Sequence, residues 1–260
     1  MKKIILLFLL FNISLSLFGE CYFPDKITIF PNTSSVSTNS IISLEGWGKM
    51  ESILDGLGTF YPIYLKCGNF KVELELIENC VSQGGKTKLI FQPTSQLVAG
   101  GRHELIVENL KSEDKKYFER EIEPSHTVPI FHWTAIKKMD RTPPQWLKKP
   151  KLKDTFWAPY GCGHAAYALF DYAIKDTSQV LIKTEVIDLK TNEPSVYYLG
   201  RDKNATQLKV GHEMCSGAFR FKKNRNYKVR FELMDACGNV TGGWTDWVEF
   251  ESPENKNSWW

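Results

Sequence analysis

The chain has 260 residues, with 33 lysines and arginines against 30 aspartates and glutamates, for a formal net charge of +3. An imbalance that small sets up no long-range field toward nucleic acid or an anionic membrane, so proteins that act through bulk charge are excluded. The length suits two domains better than one, at roughly 100–150 residues each.

The first element predicted is a leader. "MKKIILLFLLFNISLSLFGEC" begins with Lys2 and Lys3, runs through uncharged apolar residues from Ile4 to Phe11 and reaches small residues at Ser16 and Gly19. A charged start, a short apolar centre and a small residue before the mature chain describe a secretory signal peptide, residues 1–19, cleaved after Gly19. Lipidation at Cys21 would need a small residue just before it, where Glu20 stands. Removing the leader leaves 31 basic residues against 30 acidic ones. No later segment approaches the ~20 apolar residues that cross a bilayer, so the mature chain is expected to carry no transmembrane segment. Localisation is expected to be periplasmic, cell-surface or secreted.

Residues 20–139 then read as short strands: "DKITIF", "SIISLEGW", "FYPIYLKC", "FKVELELI", "KTKLIFQP" and "RHELIVENL" are rich in β-branched and aromatic residues and punctuated by glycine, asparagine or proline. Phe70, Val72, Leu74 and Leu76 alternate with Lys71, Glu73 and Glu75, the two-residue period of a half-buried strand. Pro143 and Pro144 are adjacent and "KKPKLK" follows at Lys148 to Lys153. Because proline lacks an amide donor and restricts its predecessor, residues 140–153 are expected to be a linker, its basic run simply solvated. Residues 154–253 repeat the strand pattern through "YALFDYAI", "QVLIKTEVIDL", "SVYYLG", "AFRFKK", "YKVRFELM" and "WTDWVEF", and residues 254–260 form a polar tail ending in Trp259 and Trp260. Short strands at this spacing predict an all-β chain of two tandem antiparallel sandwiches.

"LVAGGRHELIVENLKSED", Leu97 to Asp114, resembles the closing strands of bacterial Ig-like domains, and "NYKVRFELMDACGNVTGGWTDWVEFESP", Asn226 to Pro253, is similar to the last strands of fibronectin type III-like modules. Asp235, Gly238 and Asn239 match their Asp-x-x-Gly-Asn turn, and "DRTPP", Asp140 to Pro144, resembles their lead-in. The resemblance implies sandwiches used in adhesion, spacing or carbohydrate-associated scaffolding, and transfers no catalytic residue.

Six cysteines, Cys21, Cys67, Cys80, Cys162, Cys215 and Cys237, fall three in each half. In an exported chain they are expected to be oxidised, and three being odd, at least one bridge must then join the halves. Cys67 and Cys80 flank a strand whose ends lie over ~20 Å apart, so they meet only if residues 79–85 turn back. If "AFRFKK" and "YKVRFELM" form a hairpin, Cys215 and Cys237 come within the ~6 Å that a bridge requires. Cys21 and Cys162 remain, by elimination, as an interdomain pair worth nominally ~5 kcal/mol in chain entropy.

Two rival chemistries use the same residues. Cys162, His164, His212 and Cys215 can be drawn as a zinc site, although their C-x-H and H-x-x-C spacings are not the common ones. Cys162 with His164 or His212 can also be drawn as a cysteine hydrolase, but "APYGCGHAAYALFDY" offers no helix start to lower the thiol pKa. "GWGKMESILDGLG" lacks the Gly-Lys-Ser/Thr of a P-loop, and no cofactor is expected. Among the eight tryptophans, Trp244 shares a side with Val248 and Phe250, which leaves Trp247 as the better candidate for an exposed binding surface. The sequence therefore points to an exported, non-enzymatic binding, adhesion or cell-envelope scaffold protein whose partner is a protein or carbohydrate, with no role in nucleic-acid binding. A secreted cysteine- or zinc-dependent enzyme is the alternative.

Overall fold

A computed structural model of the chain describes residues 25–123, 126–161, 163–201 and 205–254. The predicted leader, Cys21, Cys162 and the end of the tail from residue 255, with Trp259 and Trp260, lie outside the described residues.

The all-β expectation holds, in two sandwiches. The first contains β1 (Thr28–Phe30), β2 (Ser35–Ser37), β3 (Ile42–Trp47), β4 (Ile63–Cys67), β5 (Phe70–Val81), β6 (Lys86–Pro93), β7 (Arg102–Val107) and β10 (His132–Ile136). A short helix, α1 (Lys49–Leu54), joins β3 to β4, and a hairpin of β8 (Glu119–Glu123) and β9 (His126–Pro129) is inserted between β7 and β10. One sheet is ordered β1-β3-β6-β5 and the other β5-β4-β7-β10-β2. β5 belongs to both: Phe70 to Glu73 pair with β4, and Leu74 to Val81 pair with β6. Every pairing is antiparallel except that of β2 with β10. In chain order this gives strands A, B, E and D facing C, F and G, the immunoglobulin arrangement, with the first half of β5 added beside C. Ile42, Leu44, Leu89, Phe91, Leu65, Leu105 and Trp133 fill the space between the sheets.

The second sandwich contains β11 (Gln145–Tyr160), β12 (Gly163–Lys175), β13 (Val180–Asp188), β14 (Pro194–Gly200), β15 (Gln207–His212), β16 (Asn226–Asp235) and β17 (Val248–Glu251). A β11-β12-β15 sheet faces a β14-β13-β16-β17 sheet. This is the three-and-four division of a fibronectin-type sandwich, and it carries that architecture's tyrosine corner: the Lys222 amide donates to the Tyr227 hydroxyl at the start of β16, at 2.7 Å.

Several boundaries differ from the sequence reading. Residues 145–153 are not linker but the first half of β11, so the connection between sandwiches ends at Pro144. Pro150 is tolerated because β11 is an edge strand and its register with β12 shifts between Lys148 and Lys151, where no ladder bond is required of it. "AFRFKK" forms no strand, and β16 pairs instead with β13 and β17. The helix α1 was not anticipated. Its buried Met50, Ile53 and Leu54 pack into the core beneath Gly46, where a Cβ would meet the Met50 Cβ at 2.6 Å.

Candidate functional site: the seam between the sandwiches

The two sandwiches lie side by side. Inward-facing Ile42 and Leu44 alternate along β3 with Ile41, Ser43 and Glu45 on its outer face, and β6 presents Lys88 and Ile90 on the same side. β5 joins this face through a bulge. Leu76 pairs with inward Phe91, but Glu78 pairs with outward Ile90, so the extra residue Ile77 moves Glu78 and Cys80 to the outer face. Against this face lie Leu181 and Lys183 of β13 and Tyr197 and Tyr198 of β14. Ile41, Cys80 and Ile90 thereby join the hydrophobic core of the second sandwich.

Polar side chains bind the seam where apolar ones do not. Lys88 reaches Glu45 at 2.8 Å and donates to the Tyr198 carbonyl at 2.7 Å, while the Tyr197 hydroxyl donates to Glu45 at 3.0 Å. Beside them, Lys183 and the Tyr198 hydroxyl meet the same Glu78 oxygen at 2.8 and 3.0 Å. Burial alone would raise the Glu45 carboxyl, but the charge and hydrogen bond of Lys88, with Lys86 and Tyr197, outweigh it and hold the pKa below its usual value. Burial, then the adjacent carboxylates, push both tyrosines far above their ordinary range.

Each end of the seam is closed by a turn. At one end, Gly84 in the β5–β6 turn lies so close to the second sandwich that a Cβ would sit 2.4 Å from the Gly217 carbonyl oxygen. There Gln83 donates its amide to Ala218 and its side chain to Ser195, and accepts from the Arg220 amide. At the other end, the Asp-x-x-Gly-Asn turn meets the connection. Buried Asp235 accepts the Cys237 and Asn239 amides at 2.8 and 2.9 Å. Asn239 and Asn39, one from each sandwich, both donate to the Asp140 carbonyl, and the Ile41 amide donates to Ala236. The Asp140 lead-in and the Asp235 turn, recognised separately in the sequence, are thus one structure.

The cysteines do not follow the expected pairing. Cys67, Cys80 and Cys237 carry free thiols, so the Cys67–Cys80 and Cys215–Cys237 bridges are not made. Cys67 ends β4 against Gly101 while Cys80 faces the seam at the far end of β5, ten residues or roughly 33 Å along the strand. The second pair required a hairpin that does not form. Cys215 lies in the turn after β15 and is disulfide-bonded, its partner being none of these three thiols. The Cys21–Cys162 pair lies outside the described residues. Burial raises the Cys80 and Cys237 thiols, the latter beside Ser40 at 3.8 Å.

His164 and His212 do come together, with ring centroids 4.9 Å apart and Trp157 stacked on His164. Burial lowers the pKa of His212, whose Nδ1 lies 2.9 Å from the Glu213 carbonyl oxygen. Among the described residues no group of three or more histidine, cysteine, aspartate or glutamate side chains is placed to hold a metal ion. Trp247 is half-buried: Arg230 lies between Trp244 and Trp247, 4.6 and 4.5 Å from their ring centres, and Lys228 covers Trp247 at 4.7 Å. Alternation along β17 assigned the two tryptophans to opposite sides, but that strand begins only at Val248, and both belong to the loop before it.

No family profile and no curated protein sequence matches the chain. Among solved structures it is similar to a cytokine receptor complex, at 9% identity and a TM-score of 0.26 over 89% of this chain and 98% of that one. It is also similar to the tandem Ig repeats of Dlar, at 11% identity and a TM-score of 0.24 over 86% of this chain and 96% of that one. A third is pullulanase type I from Bacillus subtilis complexed with maltose, at 10% identity and a TM-score of 0.26. That match covers 88% of this chain but only 25% of the pullulanase.

Proposed function

We propose that the chain is an exported, non-enzymatic binding or cell-envelope scaffold protein that presents two sandwiches as one rigid body to a protein or carbohydrate partner. The seam carries this reading. A linker-joined pair of domains would bury little between them, whereas here Ile41, Cys80 and Ile90 of one sheet face, two ion-pair and tyrosine clusters and the turns at both ends hold the sandwiches at one angle. Export is supported by the leader pattern and by the oxidised Cys215. No helix among the described residues is long and apolar enough to cross a membrane. The zinc alternative loses a ligand, since a disulfide-bonded Cys215 offers no thiolate to a metal.

The test is co-sedimentation of the purified protein with the envelope fraction of its own cells. Saturable retention that falls at least fivefold when the seam is opened by Glu78→Lys supports the reading. Turnover of an ester or amide panel that is abolished by His212→Ala would replace it with the enzymatic one.

A further inference from the structure

Between the sandwiches, beside the Asp235 turn, lies a cleft of about 800 Å³. One wall is β2, an unpaired sheet edge, through Ser35, Val36 and Ser37; the opposite wall is the β12–β13 turn, Lys175 to Gln179. A second hollow of about 380 Å³ continues along the seam, and the two share Asn32, Gln179, Val180 and Arg201. These volumes suit a small organic ligand, and a junction between domains is where such sites commonly occur.

Arg201 stands where the hollows join. Its Nε is buried and has no hydrogen-bond partner among the described residues. Leaving such a group unsatisfied costs free energy, so an orphaned guanidinium nitrogen beside an open cavity marks a missing acceptor. Among the described residues, the carboxylates lining the hollows are already engaged: Asp140 by Lys138 and the Thr142 amide, Asp176 by the Ser178 amide and hydroxyl, and Glu45 by Lys88, Lys86 and Tyr197. Lys175 adds a further cation to the lining. Leu147 and Ile136 line the same cleft and are 67% and 44% exposed, large apolar side chains beside a charged one. The planar fork of a guanidinium matches a carboxylate in two parallel hydrogen bonds. We infer that this cleft binds a small organic carboxylate, its acid group held by Arg201 and its apolar stem lying against Leu147 and Ile136.

The test is residue-resolved NMR titration of the full chain with 4-methylpentanoate, and with 4-methylpentanamide and inorganic phosphate as separate arms. The acid is expected to shift the amides of Ser35 to Ser37, Lys175 to Val180 and Arg201 in a saturable way, and neither other arm should do so. Arg201→Gln should weaken the response at least tenfold, Arg201→Lys less, and Leu147→Asp at least threefold without moving distant amides. The site is refuted if the amide or phosphate gives the same shifts, or if the acid shifts only scattered surface lysines. It is equally refuted if Arg201→Gln keeps a native spectrum and undiminished affinity. Should Arg201→Gln fail to fold, Leu147→Asp and the neutral amide decide the matter. Loss of these shifts in a protein that keeps its seam would remove the ligand site and leave the scaffold reading standing.

Discussion

Burial and hydrogen bonding oppose each other at Asp235. Burial raises its carboxyl, and the Asn239 and Cys237 amides and the Asn239 side chain only partly offset it, so its folded pKa stays above the ordinary value. Folding therefore disfavours its charged form, and the stability it contributes is greatest at low pH and declines as pH rises through the folded value. Asp235→Asn keeps an acceptor and removes the buried charge, so it should be near neutral in urea unfolding around pH 7. Asp235→Ala strands two buried amides and should cost about 3 kcal/mol. Glu45 has the opposite sign. Its pKa is lowered, so its contribution is present above the unfolded carboxylate value and is lost as pH falls through the folded one. Glu45→Gln should lower stability near neutrality and flatten the acid limb of the stability curve; an unchanged acid limb would mean that Lys88 and Glu45 are not coupled in the folded protein. Thiol chemistry separates the cysteines in the same way. Cys67 is half-buried at a strand end, whereas Cys80 and Cys237 are buried, so alkylation of the native protein followed by peptide mapping should find label at Cys67 first, with Cys80 and Cys237 reacting only on unfolding.

At the scale of elements, alternation is legible wherever a strand has one buried face, which is why β16 stands where Tyr227, Val229, Phe231 and Leu233 at every second position place it. It fails where the period breaks. Nothing in "FKVELELIENC" distinguishes Ile77 as a bulge, and without the bulge Glu78 and Cys80 fall on the inner side with Leu76. Pairing is less legible than strand existence, because adjacent strands in sequence need not be neighbours in a sheet. β16 chose β13, forty residues away, over the short "AFRFKK" run beside it, and with that choice the Cys215–Cys237 bridge disappeared. Of the site, the two turns at Asp140 and Asp235 were readable as local motifs, but their meeting depends on how the sandwiches dock, which no local pattern encodes. The Trp244–Arg230–Trp247 stack is another product of loop placement. It clamps the β16–β17 loop over the outer face of β16, where Arg230 also pairs with Glu185. Trp247→Ala should then cost about 1–2 kcal/mol in unfolding free energy, the worth of two partly desolvated cation–π contacts. Binding to envelope fractions should be unchanged, whereas a loss of binding at full stability would return Trp247 to the role of a contact residue.

For the whole molecule, the sequence reading placed the join between halves in a covalent bridge, while the described residues join through packing. The difference has a physical origin: cysteines announce themselves in a sequence, but a sheet face that is buried between domains carries the same alternation as one facing water, with Glu45, Glu78, Lys88 and Lys183 passing for solvated residues. One end of the docking depends on how closely the backbones approach at Gly84. A side chain there would meet the Gly217 backbone carbonyl and nitrogen at 2.4 and 2.7 Å, and backbone atoms cannot swing aside as the end of a flexible side chain can. Gly84→Ala should therefore leave each sandwich folded yet lift one end of the seam, at an overpacking cost of about 2 kcal/mol. Small-angle scattering should report a larger radius of gyration, and amide exchange should quicken at Gln83 and Arg220, whose amides donate across that contact to the Ala218 carbonyl and the Gln83 side chain. Gly242→Ala is the control, since a Cβ there meets nothing within 4 Å, and it should change neither measurement. Identical scattering and exchange for Gly84→Ala and the native chain would show that the sandwiches are not seated on this turn, and the fixed angle on which a rigid two-domain scaffold depends would have to come from elsewhere.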